Sequence, residues 1–275
     1  MIALGVDGIA LFAPGLNGWE ASLPILRGEQ AYRAEPLAFP APALLAPNER
    51  RRTSLSVRLA LATADAAASA SGVPAASLAS IFATSAGDGQ VIHGILSTLA
   101  GAERQVSPTQ FHNSVHNAAA GYWSIGTGST QPSISIGAYD RTFAAGLIEA
   151  AAQIAARPEP LLLCVYDVPF PPPLAAARVI SDSFAVALVL SPAATRPDHA
   201  RLTLSLAART RQDQGAAPST SGVAPLHDGN PAARALPLLE AIAQGRQTRL
   251  ALPYLDDTML GIDVTPCSTA PPSPG

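Results

Sequence analysis

Apolar residues recur along this chain with two alternating periods, and their order outlines a layered fold. Residues 1–12 form a Gly-broken apolar run that predicts a strand. Residues 16–27 follow with helical spacing, placing Trp19, Leu23 and Leu26 on one face with Asn17 as the expected cap. After a connector holding Pro40, Pro42 and Pro47, residues 53–70 give the clearest helix. Leu55, Leu59, Ala62 and Ala66 form one stripe there, while Ala60, Ala64 and Ala67 permit close packing. Residues 78–84 read as a buried strand that runs into Ser85-Ala86-Gly87-Asp88-Gly89 and a helix over 90–100. The small-residue stretch 111–126 predicts a helix from Asn117, with Trp123 facing a core. A strand over Ser133–Ile136, a helix over 141–156 and a strand over 160–168 come next, until Pro169 to Pro173 interrupt the pattern.

The remainder reads as paired strands at 183–190 and 201–207 and a mobile loop over 209–229, rich in Gly, Pro, Ser and Gln. A helix capped by Asn230 and closing strands at 248–254 and 259–264 follow. Residues 1–265 are therefore expected to form one α/β domain, layered α-β-α around a central sheet, and 266–275 a disordered tail.

Composition narrows the function classes. Apolar residues make up 48% and charged residues 13%, which fits a compact core with little charge to cover an exposed surface, so a buried subunit interface is expected. The net charge of −3 supplies no basic stripe, which excludes nucleic acid as a partner. No run of about 18 apolar residues exists, so no membrane insertion is expected, and the N-terminus lacks the basic region of a signal peptide. Cys164 lies inside the apolar run 161–166, where a cysteine behaves as a small hydrophobe, and Cys267 lies near the tail. Reduced thiols and a cytoplasmic location are the expectation.

Candidate chemistry concentrates between residues 111 and 146. Ser133-Ile134-Ser135-Ile136-Gly137-Ala138-Tyr139-Asp140 reads as a β-branched strand, a sharp turn at Gly137 and the start of a helix. Acyl-transfer folds use such an elbow to hold a nucleophile at a helix N-terminus, where the dipole lowers a thiol pKa. Here the elbow holds Ala138, which carries no nucleophile. Tyr139 and Asp140 follow it directly, and an Asp there reads equally as an ordinary helix cap. His112 and His116 have the spacing of a helical metal pair, but no Glu lies between them and no third ligand is near, so polar lining of a cavity or interface with Asn113 and Asn117 is the better reading. The segment Ser85 to Gly89 lacks the spacing of a phosphate-binding loop and reads as a tight βα turn. No Gly-x-Ser-x-Gly motif occurs, and no metal or cofactor is expected.

The stretch Phe111-His112-Asn113-Ser114-Val115-His116-Asn117-Ala118-Ala119-Ala120-Gly121-Tyr122-Trp123-Ser124-Ile125, with the elbow some way beyond it, resembles the β-ketoacyl synthase family of the thiolase fold. More narrowly the chain resembles the short chain length factors of bacterial aryl polyene and xanthomonadin-type pigment clusters. Pro47-Asn48-Glu49-Arg50-Arg51-Arg52-Thr53-Ser54 and Asp182-Ser183-Phe184-Ala185-Val186-Ala187-Leu188-Val189-Leu190 support it, and the likeness runs in order over residues 1–265. It implies a thiolase-like fold with a complete N-terminal half and a truncated C-terminal half.

Departures from the family pattern set the functional expectation. A condensing synthase carries Thr-Ala-Cys-Ala-Ser-Gly where this chain has Ile136-Gly137-Ala138-Tyr139-Asp140-Arg141, so Ala138 stands in the nucleophile's place. The synthase histidine motifs are missing, since His199 and His227 sit in loop-like sequence, and the Gln that many longer chain length factors carry at the Cys position is absent. The resemblance thus implies a non-catalytic subunit that pairs with an active ketosynthase and contacts acyl carrier protein transiently. Ser133, Ile134, Ser135 and Ile136 would be its interface strand, and Phe111, His112, Asn113 and His116 would lie near the partner's acyl tunnel. Two other classes stay open: an independent hydrolase or thioesterase using another nucleophile or a His112–His116 metal, and a module that binds acyl groups or carrier protein. For the latter, Arg50-Arg51-Arg52 is the one basic cluster, and it reads equally as a solvated helix entrance.

Overall fold

The computed structural model describes residues 1–102, 104–192, 199–210, 213 and 215–267. Strand β1 (Ile2–Ala13) turns back on the short β2 (Leu16–Asn17) and enters α1 (Trp19–Leu26). Asn17 therefore belongs to a strand and caps nothing; the N-cap is Gly18, at φ 99°. Helices α2 (Pro47–Arg52) and α3 (Leu55–Ser71) follow, the latter capped by Ser54, whose Oγ accepts from Val57 N. Strand β3 (Ala79–Ala83) leads to α4 (Gly89–Ala100), and Asp88 caps it by accepting from Val91 N, as a tight βα turn requires.

Helix α5 (Pro108–Asn113) has no counterpart in the hydrophobic pattern. A reciprocal capping box between Ser107 and Gln110, with Pro108 at its first position, starts it. Helix α6 (Ala118–Thr127), β4 (Ser133–Ile136), α7 (Thr142–Ala156) and β5 (Leu161–Asp167) come where expected. The chain continues through α8 (Leu174–Ala177), β6 (Phe184–Pro192), β7 (Ala200–Ala208), α9 (Ala224–Gly229), α10 (Leu236–Ala243), β8 (Thr248–Pro253) and β9 (Thr258–Pro266). The segment 209–229 is not a loop throughout. It carries α9, with Leu226 and His227 buried, and Glu240 of α10 accepts from the N–H groups of Ser219 and Thr220. Asn230 does act at a helix entrance, its Oδ1 accepting from Ala232 N. Strand β9 runs to Pro266 and Cys267 N donates to His199 O, while the expected tail at 268–275 lies outside the described residues.

The strands form one sheet in the order β4-β3-β5-β6-β1-β7-β9-β8, with β2 off the path. The β4-β3-β5 part is parallel and the rest antiparallel. Alternation along β6 sends Val186, Leu188 and Leu190 to a core shared with α1, α7 and α10, and Ala185, Ala187 and Val189 to a core shared with α3 and α6. The molecule is thus layered α-β-α, as the pattern predicts. The sheet-facing side of α3 is its small residues Ala60, Ala64 and Ala67, all fully buried, whereas Leu55 at its first turn is exposed. That packing is close enough to dictate Gly8: a Cβ there would sit 2.3 Å from Ala67 O. Cys164 is buried in this seam and its Sγ donates to Ala60 O at 3.4 Å, matching the reading of a small hydrophobe. No helix among the described residues is long and apolar enough to cross a membrane.

One buried carboxylate ties the parallel strand ends together. Asp167, at the end of β5, accepts on Oδ1 from Thr84 Oγ1, Ser85 N and Ser85 Oγ at 2.8–2.9 Å. Its Oδ2 is buried without a partner among the described residues. Burial raises its pKa from 3.8 to about 6, against the lowering effect of the Ser85 and Thr84 bonds and the Arg178 charge. Because the folded pKa lies above the unfolded one, the folded state holds this proton more tightly between those values. The Asp167 contribution therefore favours the fold at low pH and is lost as pH rises from about 4 to about 6, by up to about 3 kcal/mol. Asp167→Asn keeps an acceptor for all three donors. Its chemical-denaturation stability should fall less between pH 4 and 6 than that of the parent chain, and identical slopes would refute this assignment.

Candidate functional site

Strand β4 ends at Gly137, where a Cβ would lie 2.8 Å from Thr84 O, so only glycine lets the two parallel strand ends close together. Beyond it a 3-10 turn, Tyr139–Arg141, feeds α7. Thr142, fully buried, holds the elbow: its Oγ1 accepts from Ala138 N at 3.0 Å and donates to Tyr139 O at 2.7 Å. Tyr139 is the strained residue, at φ 54°, a conformation that costs a non-glycine residue on the order of 1–3 kcal/mol. Arg178 retains it, its guanidinium 3.6 Å from the Tyr139 ring centroid and its Nη1 2.7 Å from Asp140 Oδ1. Asp140 is therefore an ion-pair partner and not a side-chain cap of α7. Sequence reasoning missed Arg178, which no motif marks and which sits about forty positions away in an Ala-rich stretch.

The open flank of β4 is the second feature. Ser80 N donates to Pro132 O and Thr84 N to Ile136 O, so even-numbered positions of β4 face β3. In a parallel ladder alternate residues point the other way, which directs the backbone groups of Ser133 and Ser135 to the open edge. No described strand pairs with that edge. Beside it, a groove of about 420 Å³ runs between β4 and α6, lined by His116, Asn117, Ser124, Ser133 and Ser135. Ser135 Oγ is buried there without a hydrogen-bond partner among the described residues, while Ser133 Oγ accepts from Ser80 Oγ at 2.9 Å.

Exposed apolar side chains lie on the helices that follow the β3 end. Helix α4 buries none of its apolar residues, and Ile92, Leu96 and Leu99 recur on it at helical spacing. Phe111 on α5 is 67% exposed, with Val115 beyond it and Ile125 on α6 also exposed. A solvent-facing stripe of this kind marks an interaction surface.

The structure separates several residues that the sequence groups. His116 lies over the elbow, its Nε2 3.3 Å from the place of a Gly137 Cβ, and Asn117 joins it in the groove. His112 instead stacks edge-on against Tyr122 at 5.5 Å, and α5 ends at Asn113, so the two histidines do not share a helix. No described cluster of three His, Cys, Asp or Glu side chains is suited to a metal. Asn113 is buried, and its Nδ2 donates to Arg52 O at 2.6 Å, which fastens α5 to α2. Ile134 and Ile136 are half-buried, and Ile136 packs on the α7 side of the sheet.

Neither cysteine stands at the elbow. Cys164 is fully buried, and burial pushes its thiol far above the usual range, which removes the thiolate that acyl transfer needs. The folded chain should consume one equivalent of a thiol reagent such as DTNB at neutral pH, at Cys267, with Cys164 reacting only on unfolding. A rapidly reacting Cys164 would contradict this assignment.

Comparison with solved structures shows the same architecture. One chain of the ketosynthase ApeO in complex with its chain length factor ApeC from Xenorhabdus doucetiae matches with a TM-score of 0.70 at 22% identity, covering 96% of this chain and 100% of that one. One chain of the ishigamide ketosynthase/chain length factor matches at 0.71 with 13% identity, covering 97% and 100%. A type II polyketide synthase assembly of AntDE with the acyl-carrier protein AntF matches at 0.70 with 13% identity, covering 96% and 99%. No curated protein matches in sequence. The family model described as the beta-ketoacyl synthase N-terminal domain matches residues 27–251, and the chain belongs to the β-ketoacyl synthase family.

Proposed function

We propose that this chain is a non-catalytic chain length factor: a subunit that pairs with an active β-ketoacyl-carrier-protein synthase and shapes its acyl tunnel. The carrying observation is the open edge of β4, set beside an elbow whose residues, Ala138 and Tyr139, offer no thiol, together with the exposed apolar side chains of α4, α5 and α6. A strand left with unpaired N–H and C=O groups is a template for pairing with another chain, and an apolar border supplies the area that holds it. The likeness to ketosynthase and chain length factor assemblies supports the same reading. In it, Ala138 occupies the nucleophile's place, and Phe111, His112 and His116 face the partner's tunnel, while Asn113 positions α5. Acyl carrier protein visits the complex transiently, the setting is the cytoplasm, and the product is an aryl polyene. Length control is steric, because overfilling a packed wall costs about 1–3 kcal/mol and each 1.4 kcal/mol changes a product ratio about tenfold.

Co-expression with the intact ketosynthase of the same gene cluster, followed by native mass measurement, tests the reading. A 1:1 complex is expected. Ser135→Pro removes an N–H from the open edge without touching the β3 ladder, so it should leave the fold intact and abolish the complex. A parent chain that remains apart from the ketosynthase, or a Ser135→Pro chain that still binds it, would overturn the proposal.

A further inference from the structure

A second cavity, of about 260 Å³, opens on the other side of the elbow from the groove and is lined by no residue of β4. Three arginines from distant parts of the chain meet there: Arg141 before α7, Arg209 after β7 and Arg234 in the turn before α10. Among the described residues the lining carries one carboxylate, Asp140, and that group is already paired with Arg178 at 2.7 Å. The lining thus gathers three guanidinium groups and leaves Asp140 committed to a fourth, Arg178.

The acids outside the lining compensate poorly. Arg141 Nη2 reaches Asp256 Oδ1 at 2.8 Å, but Asp256 is 97% exposed, and an exposed pair of this kind is weak enough for another anion to compete with it. Arg234 Nη1 lies 3.5 Å from Asp228 Oδ1, a long contact to another exposed carboxylate. Arg209 forms no ion pair among the described residues, although Asp213, held by Thr210, feels its charge. His227 closes the back wall and is buried; desolvation lowers its pKa, so its ring is neutral and adds no charge. Ala144, Leu252 and Pro253 give the remaining wall apolar surface, which raises the strength of any charged contact inside.

We propose that this cleft binds a small oxyanion, a carboxylate or phosphate group, between Arg141, Arg209 and Arg234. Planar guanidinium forks match both groups and form the stronger, charge-assisted class of hydrogen bond. An anion between them would also relieve the repulsion that the arginines exert on each other. The inference is independent of the subunit role above, since it rests on another part of the surface.

Isothermal titration of the full chain with inorganic phosphate and with malonate, each against chloride at matched ionic strength, tests it. Saturable binding of at least one oxyanion is expected. Tighter phosphate binding assigns the site to phosphoryl groups, and tighter malonate binding to carboxylates. Arg209→Gln, which disturbs no ion pair among the described residues, and Arg234→Gln should each weaken binding by about tenfold or more. Absence of saturable binding by either anion, or binding that Arg209→Gln leaves unchanged, would overturn the proposal.

Discussion

Where strand pairing stops is the constraint on which the rest of this molecule depends. A sheet that runs through a whole domain has two ends, and each must satisfy or expose a row of peptide groups. At the β8 end the chain covers part of the row itself, with Ala216 N donating to Ala251 O and Pro253 ending the strand without a donor. At the β4 end nothing among the described residues does so. Around the end of β4, Gly137 stops the strand after four residues, and Thr142 and Arg178 fix the turn that follows. An edge so short and so rigidly ended offers few groups for indiscriminate pairing.

The elbow keeps its shape through a few contacts around one strained residue. Tyr139 stays in a left-handed conformation because three contacts over-determine it: the Thr142 bond to its carbonyl, the Arg178 guanidinium on its ring and the Asp140 pair alongside. Their effect is geometric, holding the end of β4 and the start of α7 in register so that the strand edge and the groove under His116 keep their shape.

Much of the architecture was legible because strands and helices announce themselves by period. The runs at 78–84, 133–136 and 160–168, the Ala-rich face of α3 and the burial of Trp123 all follow from pattern alone. Local capping defeated the reading where polar signals were short. Ser107 and Gln110 make a helix of six residues that no hydrophobic period reveals, and Gly18 displaces Asn17 by taking a conformation that only the structure shows. The 209–229 segment read as a loop because its composition is polar, yet the buried Leu226 anchors it from within and Glu240 from outside the window. Within the site, Ala138 and the edge strand were visible in sequence. The dispersal of His112 and His116, and the part played by Arg178 and Asp167, were not, because they depend on long-range placement.

Hydrogen–deuterium exchange at the Ser135 amide tests the central claim most directly. With the chain alone, the account predicts exchange at Ser135 far faster than at Phe82, the neighbouring amide within the sheet. With the ketosynthase bound, Ser135 should become protected while Phe82 is unchanged. Strong protection of Ser135 in the isolated chain, or none in the complex, would contradict an edge built for a partner.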